Sequence, residues 1–274
     1  MTRLLEIDVP KFEDSFAERS MGVSHGLCGH EELSVEAVAD LADALPASSV
    51  EHNRSDVAAV VADGSVPRLD QSPGEIARGI DGNGCWMVLK NIEQQPVYRR
   101  LLDELLDEVV PLVKGDEGGM NLREGFIFLS APNSTTPAHT DHEHNFLLQV
   151  RSPKRMYVGS FRDPLAEQLQ IERMYAGHRN MDQLPDDPIL YDLSPGEGVY
   201  VPPCAPHYVQ TLDKVSVSLS ITFRTPVTER AAHVHAINRH LRRLGIAPLA
   251  PGHRPGRDRA KERLVKAVHR VRGD

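Results

Sequence analysis

The sequence predicts a mainly β protein whose strands form a barrel with α-helices flanking it. Strand-like segments dominate between residues 126 and 223. In residues 216–223, hydroxyl-bearing and apolar side chains alternate strictly, which is typical of a strand with one polar and one apolar face. Two segments rich in metal-binding side chains, residues 136–150 and 202–207, lie far apart in the chain. Distant strands must return to one another to bring these segments together.

Length and composition indicate a globular protein. At 274 residues the chain forms one large domain or one domain with appendages. Its three cysteines, Cys28, Cys85 and Cys204, are far apart and odd in number, which does not suggest a disulfide framework. No apolar run reaches membrane-spanning length, and the N-terminal residues lack the apolar core of a signal peptide. We therefore expect a cytoplasmic protein with no membrane partner.

Three regions are expected along the chain. Residues 1–120 form a helical and mixed region that packs on the barrel, residues 121–226 form the barrel core, and residues 227–274 form basic helices. Within the first region, residues 1–33 are expected to be irregular. Residues 163–188 form a long polar insertion between the two metal-binding segments, and insertions of this kind are suited to a substrate lid.

Periodicity and capping residues predict the helices. Residues 34–45 predict an amphipathic helix capped by Ser34, and residues 72–80 a short helix before a strand at 86–90. Residues 96–112 predict the clearest long helix, with apolar side chains at helical spacing: Tyr98, Leu101, Leu102, Leu105, Val109 and Leu112.

The C-terminal region predicts two further helices. Residues 228–244 are expected to form a helix ended by Gly245. After a proline-rich break, residues 259–271 are expected to form a second, basic helix. The first helix has an apolar stripe: Ala231, Val234, Ile237, Leu241 and Leu244.

Charge is distributed unevenly along the chain. Residues 224–274 contain 13 Lys and Arg against 4 Asp and Glu, a net charge of +9. Because the total is −8, the first 223 residues carry −17. A basic tail suggests nucleic acid, but this one has almost no aromatic residues and no groove-reading motif. We expect the basic helices to dock on the acidic body or on a second subunit, and we do not expect a nucleic-acid partner.

Two histidines and one aspartate are the strongest candidates for metal ligands. His139 and Asp141 are separated by one residue, so in a strand their side chains point to the same face. His207 follows a Pro-rich turn and would complete a set of two imidazoles and one carboxylate, which suits Fe(II) with open coordination positions. His142 and His144 offer an alternative His-x-His pair, with Glu143 either lining the pocket or pointing away from it.

The order of these residues resembles a known family. Residues 136–141 read Thr-Pro-Ala-His-Thr-Asp, Asn145 and Phe146 follow shortly after, Lys154 lies on the next strand, and Pro202 precedes His207 by five residues. This pattern is similar to the cupin-like Fe(II)/2-oxoglutarate oxygenases, which include the JmjC-domain proteins and the asparaginyl hydroxylase that inhibits hypoxia-inducible factor. The resemblance covers about residues 125–225 and implies a double-stranded β-helix, or jelly-roll, barrel.

The resemblance also implies roles for individual residues. His139, Asp141 and His207 would bind the iron. Lys154 would pair with the distal carboxylate of 2-oxoglutarate, and Thr136 would hydrogen-bond the same group. Asn145 and Thr222 would lie beside this co-substrate, and dioxygen would be the second co-substrate.

Two points about the lysine are left open by the sequence. Arg155 is the alternative cation, should it face inward instead of Lys154. The family has Gly before the lysine, whereas this chain has Ser152-Pro153, and we expect the turn to form with Pro in its first central position.

The function predicted from the sequence is hydroxylation by an Fe(II)/2-oxoglutarate-dependent dioxygenase. An amino acid, free or carrier-bound, or another small metabolite is the favoured substrate, because no peptide-reading domain is evident; a protein or peptide side chain is the alternative. A non-oxidative metal cupin, such as an isomerase or a sensor, is the rival from another class, although it would have no need for a clamp built from Lys154 and Thr136. The resemblance also favours a homodimer formed through the C-terminal helices.

Overall fold

The computed structural model describes residues 3–54, 58–60, 71–113 and 118–272. Within these residues the strands are β1 (Leu5–Glu6), β2 (Met21–His25), β3 (Val50–Arg54), β4 (Cys85–Lys90), β5 (Asn121–Ser130), β6 (Thr135–His139), β7 (His144–Arg151), β8 (Lys154–Ser160), β9 (Asp186–Leu193), β10 (Glu197–Val201), β11 (His207–Thr211) and β12 (Ser216–Arg224). The helices are α1 (Val9–Ser15), α2 (Val35–Ala44), α3 (Pro73–Arg78), α4 (Pro96–Val109), α5 (Pro164–Met174), α6 (Pro226–Arg243) and α7 (Pro255–Arg272).

The strands form two antiparallel sheets. The eight-stranded sheet has the order β1-β2-β10-β7-β12-β5-β4-β3, and the four-stranded sheet has the order β6-β11-β8-β9. Successive strands from β5 to β8, and again from β10 to β12, alternate between the two sheets. This alternation winds the chain into a jelly roll, so the predicted mainly β fold is confirmed.

The last strand separates the apolar core from a polar interior. Val217, Leu219 and Ile221 of β12 lie in the main apolar cluster, together with residues of α1 to α4. The alternate side chains of β12 are buried on the other face, where Ser218 contacts Lys154 and Ser220 contacts Asn145. A smaller apolar cluster, which includes Leu147 and Met156, lies between the two sheets.

The N-terminal region contributes strands to the large sheet. The expectation that residues 1–33 are irregular is wrong for the described residues 3–33, which contain β1, α1 and β2. β1 has two residues, and β2 buries only Met21, Val23 and His25 in alternation, so neither gives a clear periodic signal. Pairing with β10 holds β2 in the sheet. β3 and β4 extend the opposite edge beyond β5.

The predicted helices are present with shifted ends. Ser34 caps α2 by accepting a hydrogen bond from the Ala37 amide, as predicted. α6 begins at residue 226 and not at 228, because Thr225 forms a capping box with Thr228 and Pro226 occupies the first turn. α7 likewise begins at a proline, residue 255, ahead of the predicted 259. Among the described residues, no helix is both long and apolar enough to cross a membrane.

Candidate metal centre and co-substrate pocket

The structure brings His139, Asp141 and His207 together. His139 ends β6 and pairs in register with His207, the first residue of β11. Asp141 Oδ2 lies 3.5 Å from His139 Nε2 and 3.8 Å from His207 Nε2. One ligand atom from each of the three residues lies within 4.8 Å of the others. Of the residues that the structure describes, these form the one group of three or more His, Cys, Asp or Glu side chains placed to hold a metal ion.

Hydrogen bonds to backbone carbonyls orient both imidazoles toward the aspartate. His139 Nδ1 lies 2.7 Å from the Pro137 oxygen, and His207 Nδ1 lies 2.9 Å from the Ala205 oxygen. A carbonyl oxygen only accepts, so both Nδ1 atoms donate and the Nε2 lone pairs face the carboxylate of Asp141. Three electron-pair donors that face one another are stable only with a cation or proton between them. The donor set therefore fits a divalent metal, and the carbonyls fix its histidine ligands.

The protonation states of His207 and Asp141 suit metal binding. Burial, together with the neighbouring His139, lowers the pKa of His207 to about 4, so this imidazole is neutral at physiological pH. Burial opposes ionisation of Asp141, but the two histidines and Arg179 outweigh it and hold its pKa far below the usual value. A neutral imidazole and an ionised carboxylate are the forms that bind metals.

Lys154 lies in the same cavity as these three residues and faces inward. The cavity has a volume of about 610 Å³, and its lining also includes Thr136, Asn145 and Thr222. Lys154 is 3% exposed, and its Nζ donates to Ser218 Oγ over 2.6 Å. Burial lowers the pKa of Lys154 to about 7. Arg155, the alternative, points outward and pairs with Asp192 over 2.9 Å.

The polar residues near the lysine are already oriented by the barrel. Asn145 Oδ1 accepts a hydrogen bond from Ser220 Oγ over 2.6 Å, which leaves its amide nitrogen for other acceptors. Thr222 Oγ1 donates to the backbone oxygen of Glu124 over 3.2 Å. Both residues lie on the cavity wall, and their place beside 2-oxoglutarate stays a prediction.

The Ser152-Pro153 segment turns between the two sheets. β7 belongs to the large sheet and β8 to the small one, so these residues form a corner and not a hairpin. Ser152 occupies the first central position with φ 59° and Pro153 the second, which corrects the expectation that Pro takes the first. A positive φ at Ser152 explains why glycine suits this place.

The other acidic and imidazole side chains of residues 142–144 do not join the metal group. His144 is fully buried and stacks between Phe16 and Phe223, with ring centroids 4.7 and 4.8 Å away. His142 Nε2 pairs with Glu143 Oε1 over 2.8 Å. Glu143 lines the cavity together with His139, Asp141 and Asn145, which decides between the two orientations that the sequence left open.

Arg179 was not anticipated from the sequence. Its Nη1 lies 3.3 Å from Asp141 Oδ1, and the residue lines the cavity. It belongs to the polar insertion, which forms α5 and then passes beside β6: the Met181 amide donates to the Ala138 oxygen over 2.8 Å. The local sequence around Arg179 is a charged insertion, and it does not indicate that this residue lies beside Asp141. The lid hypothesis for residues 163–188 stays a prediction.

The N-terminal strands add a wall to the cavity that sequence reasoning also missed. Asn53 of β3 and Trp86 and Val88 of β4 line it, together with Phe126 and Phe128 of β5. At the rim, Lys90 and Arg224 pair with acidic residues, Glu51 and Glu143 respectively. The cavity lining therefore includes aromatic and apolar side chains as well as these ion pairs.

Comparison with known proteins relates this geometry to a family. The family model described as JmjC domain matches residues 122–231. A search of curated proteins found no match to the sequence.

Solved structures share the fold. YcfD, a ribosomal oxygenase from Escherichia coli in complex with cobalt and 2-oxoglutarate, matches with a TM-score of 0.54 and 18% identity, over 93% of this chain and 62% of that one. A second structure of E. coli YcfD gives a TM-score of 0.55 at 18% identity, over 98% and 69% of the two chains. A third, with cobalt and succinic acid, gives 0.51 at 17% identity, over 97% and 68%. This chain thus spans less than two thirds of the YcfD chain in the first of these structures.

The family match and the shared fold agree with the pattern of residues 136–207. Residues 122–231 therefore form a JmjC-type domain, and the chain shares the fold of a 2-oxoglutarate-binding oxygenase.

Proposed function

We propose that this protein is an Fe(II)/2-oxoglutarate-dependent dioxygenase that hydroxylates a carbon atom. One observation carries the proposal: a single cavity contains both the His139–Asp141–His207 group and the buried amine of Lys154. Two imidazoles and one carboxylate suit Fe(II) with open positions. An inward ammonium suits the distal carboxylate of a dicarboxylic co-substrate.

The residues of the chain have distinct roles in this proposal. His139, Asp141 and His207 would hold Fe(II). Lys154 and Thr136 would bind the distal carboxylate of 2-oxoglutarate, and Asn145 and Thr222 would lie beside it. Bound Fe(II) supplies the oxidising chemistry, in which one oxygen atom of dioxygen enters the substrate C–H bond and the other enters succinate, as 2-oxoglutarate loses carbon dioxide.

The rival function, a non-oxidative metal cupin, does not account for Lys154. Burial disfavours the charged form of this lysine, and among the described residues no carboxylate lies within ion-pair distance of Nζ. A buried cation is retained where it has a partner, and a carboxylate ligand would provide one. Asp141 also occupies the position that a halogenase leaves vacant for halide.

For the substrate we favour an amino-acid side chain within a basic protein. The first 223 residues carry a net charge of −17, which favours association with a basic partner. The solved neighbours are described as ribosomal oxygenases, which supports a substrate that is a protein of the ribosome. The free amino acid or small metabolite favoured from the sequence is the second candidate, because the apolar lining near Trp86 also fits a small molecule.

We further propose that the protein is a homodimer through its C-terminal helices. Apolar side chains are exposed on and between α6 and α7: Leu244, Ile246, Leu249, Leu264 and Val268. Association of two copies would remove this apolar area from water. We do not expect membrane or nucleic-acid partners, and a cytoplasmic location stays a prediction.

Anaerobic spectroscopy tests the metal and co-substrate assignment. Fe(II) and 2-oxoglutarate together should give the protein a weak visible charge-transfer band with one iron per chain. His139→Ala, Asp141→Ala and His207→Ala should each abolish this band, whereas His142→Ala, in the same segment, should retain it. A band that survives loss of His207 but vanishes with His142→Ala would overturn the ligand assignment.

A turnover screen tests the substrate class. We would incubate the loaded enzyme with ribosomal proteins, peptides, free amino acids and small metabolites, and measure succinate formation and a mass gain of one oxygen atom. Hydroxylation of a free amino acid but of none of the proteins would contradict our preference for a protein substrate.

A further inference from the structure

A buried chain of hydrogen bonds connects the corner between β7 and β8 to the amine of Lys154. Lys154 Nζ donates to Ser218 Oγ, and Ser218 Oγ donates to Gln149 Oε1, each over 2.6 Å. Gln149 Nε2 donates to the backbone oxygen of Arg151 over 2.7 Å and to that of Ser152. Gln149 and Ser218 are fully buried, so water does not compete for these bonds.

The two carbonyl groups at the corner set the direction of every bond in this chain. A carbonyl oxygen only accepts, so the Gln149 amide turns its nitrogen toward Arg151 and Ser152 and its oxygen toward Ser218. The single hydroxyl hydrogen of Ser218 is then used on the Gln149 oxygen. The lone pairs of Ser218 face Lys154, which must donate.

We propose that Gln149 and Ser218 are positioning residues that hold Lys154 as a charged donor for the distal carboxylate of 2-oxoglutarate, a role that rests on the proposed function. The ammonium form of lysine has three donors, of which Ser218 takes one and two are left for the ligand. Because the Ser218 hydroxyl donates to Gln149, it can only accept from Lys154, and this favours the ammonium form over the neutral amine. It therefore opposes part of the effect of burial, which lowers the pKa of this lysine.

Ser218 is the hydrogen-bond partner of the Lys154 amine, and the neighbouring residues of the small sheet are uncharged. The residues opposite Lys154 in the small sheet are Thr211 and Leu193, which are both uncharged. The titratable group that contacts the chain is His25, whose Nε2 lies 3.0 Å from the Gln149 backbone oxygen. Burial lowers the pKa of His25, so near neutral pH it adds no charge beside the lysine.

Calorimetric titration with 2-oxoglutarate between pH 6 and 9, with Mn(II) in place of Fe(II), tests the proposal without turnover. A hydrogen bond to a charged group contributes about 1.5–3 kcal/mol, so Ser218→Ala should weaken 2-oxoglutarate binding about tenfold or more. The affinity for 2-oxoglutarate should also be lost at a lower pH than in the wild type, because the Lys154 ammonium loses its acceptor and its pKa falls. Gln149→Met should weaken binding by less, since Ser218 is still present but free to rotate. Mn(II) affinity should be unchanged in both variants.

Two further variants make the outcome decisive. Ser130→Ala removes a buried hydroxyl on β5, the strand that pairs with β12, and should bind 2-oxoglutarate like the wild type. Lys154→Met should lose binding. If Lys154→Met loses binding but Ser218→Ala keeps wild-type affinity and pH profile, the positioning role is overturned and the proposed function stands. If Lys154→Met binds normally, the co-substrate assignment itself fails. Should Gln149→Met not fold, Ser218→Ala alone decides.

Discussion

Arg242 of α6 donates from Nε to Glu172 Oε1 of α5 over 3.0 Å, and the two side chains are 17% and 5% exposed. This pair joins the C-terminal helices to the insertion. On α5, Gln170 Nε2 donates to the backbone oxygen of Arg179 over 3.1 Å, and the Arg179 side chain contacts Asp141. Continuous contacts therefore connect the C-terminal region to the segment beside the metal ligands.

Loss of Arg242 should destabilise the whole fold. Arg242→Met leaves the buried Glu172 carboxylate without this partner, and breaking a largely buried pair should lower the free energy of unfolding by about 2–4 kcal/mol. Urea denaturation measures this change. Arg162→Met, which breaks the exposed pair with Asp163, should change stability by less than about 0.5 kcal/mol. Equal stability of the two variants would show that the buried pair contributes nothing.

Lys154 should lower the free energy of unfolding of the ligand-free protein. Burial lowers the pKa of Lys154 from 10.5 in the unfolded chain to about 7 in the folded protein. Below pH 7 the lysine is charged in both states, so folding buries a charge and the full cost is present. Between pH 7 and 10.5 the folded state is neutral, and the cost decreases as the pH rises. Lys154→Met should therefore raise the free energy of unfolding of the ligand-free protein, by about 3 kcal/mol at pH 6 and by less than half of that at pH 9. Denaturation at the two pH values tests this. A variant that is less stable than the wild type at pH 6 would contradict it.

The dimer proposal predicts a concentration-dependent mass. Leu264→Glu places a charge among the exposed apolar side chains of α6 and α7, and should weaken association by about 2 kcal/mol or more, roughly thirtyfold. Ile189→Glu, at an equally exposed residue of β9, should have no effect. Light scattering across micromolar concentrations measures both. A monomeric intact chain would rule out the dimer.

Deletion of residues 228–274 tests the same surface less directly. The deletion should convert a dimer to a monomer, but it also removes Arg242 and leaves Glu172 unpaired. Loss of stability in the deleted protein is therefore expected even if the chain never dimerises. The point variants distinguish the two effects, because Leu264→Glu leaves the buried pair intact.

Local patterns predicted the strands of the barrel, whereas the meeting of His207 with His139 and Asp141 depends on the pairing of β11 with β6 and was implied by the resemblance. The alternation in β12 places side chains on one face whatever surrounds them. Asp141 lies two residues beyond the end of β6, so its position beside His139 depends on the turn that follows the strand and not on strand alternation. Lys154 could also be chosen over Arg155, but only through the resemblance, since a strand of unknown facing fits either residue. The structure settles the facing, because Lys154 is buried whereas Arg155 pairs with Asp192 at the surface.

Features that depend on tertiary pairing could not be predicted. β2 is stable as a strand through its pairing with β10, more than 170 residues later in the chain. Arg179 reaches Asp141 because the insertion passes beside β6, and nothing in its local sequence specifies that path. The wall formed by Trp86 and Val88 likewise requires β4 to extend the large sheet beyond β5.

His144 should act as a core residue that makes the protein sensitive to acid. Burial lowers the pKa of His144 to about 3 in the folded protein. As the pH falls below 6.5, His144 is protonated in the unfolded chain but stays neutral in the folded one, so the folded state loses stability. His144→Phe keeps an aromatic ring between Phe16 and Phe223 but does not titrate. The wild type should therefore lose about 2–3 kcal/mol more than this variant between pH 7 and pH 4.5, measured by urea denaturation, whereas metal stoichiometry should be the same in both. Parallel loss of stability in the two proteins, or loss of metal from His144→Phe, would show that this histidine has another role.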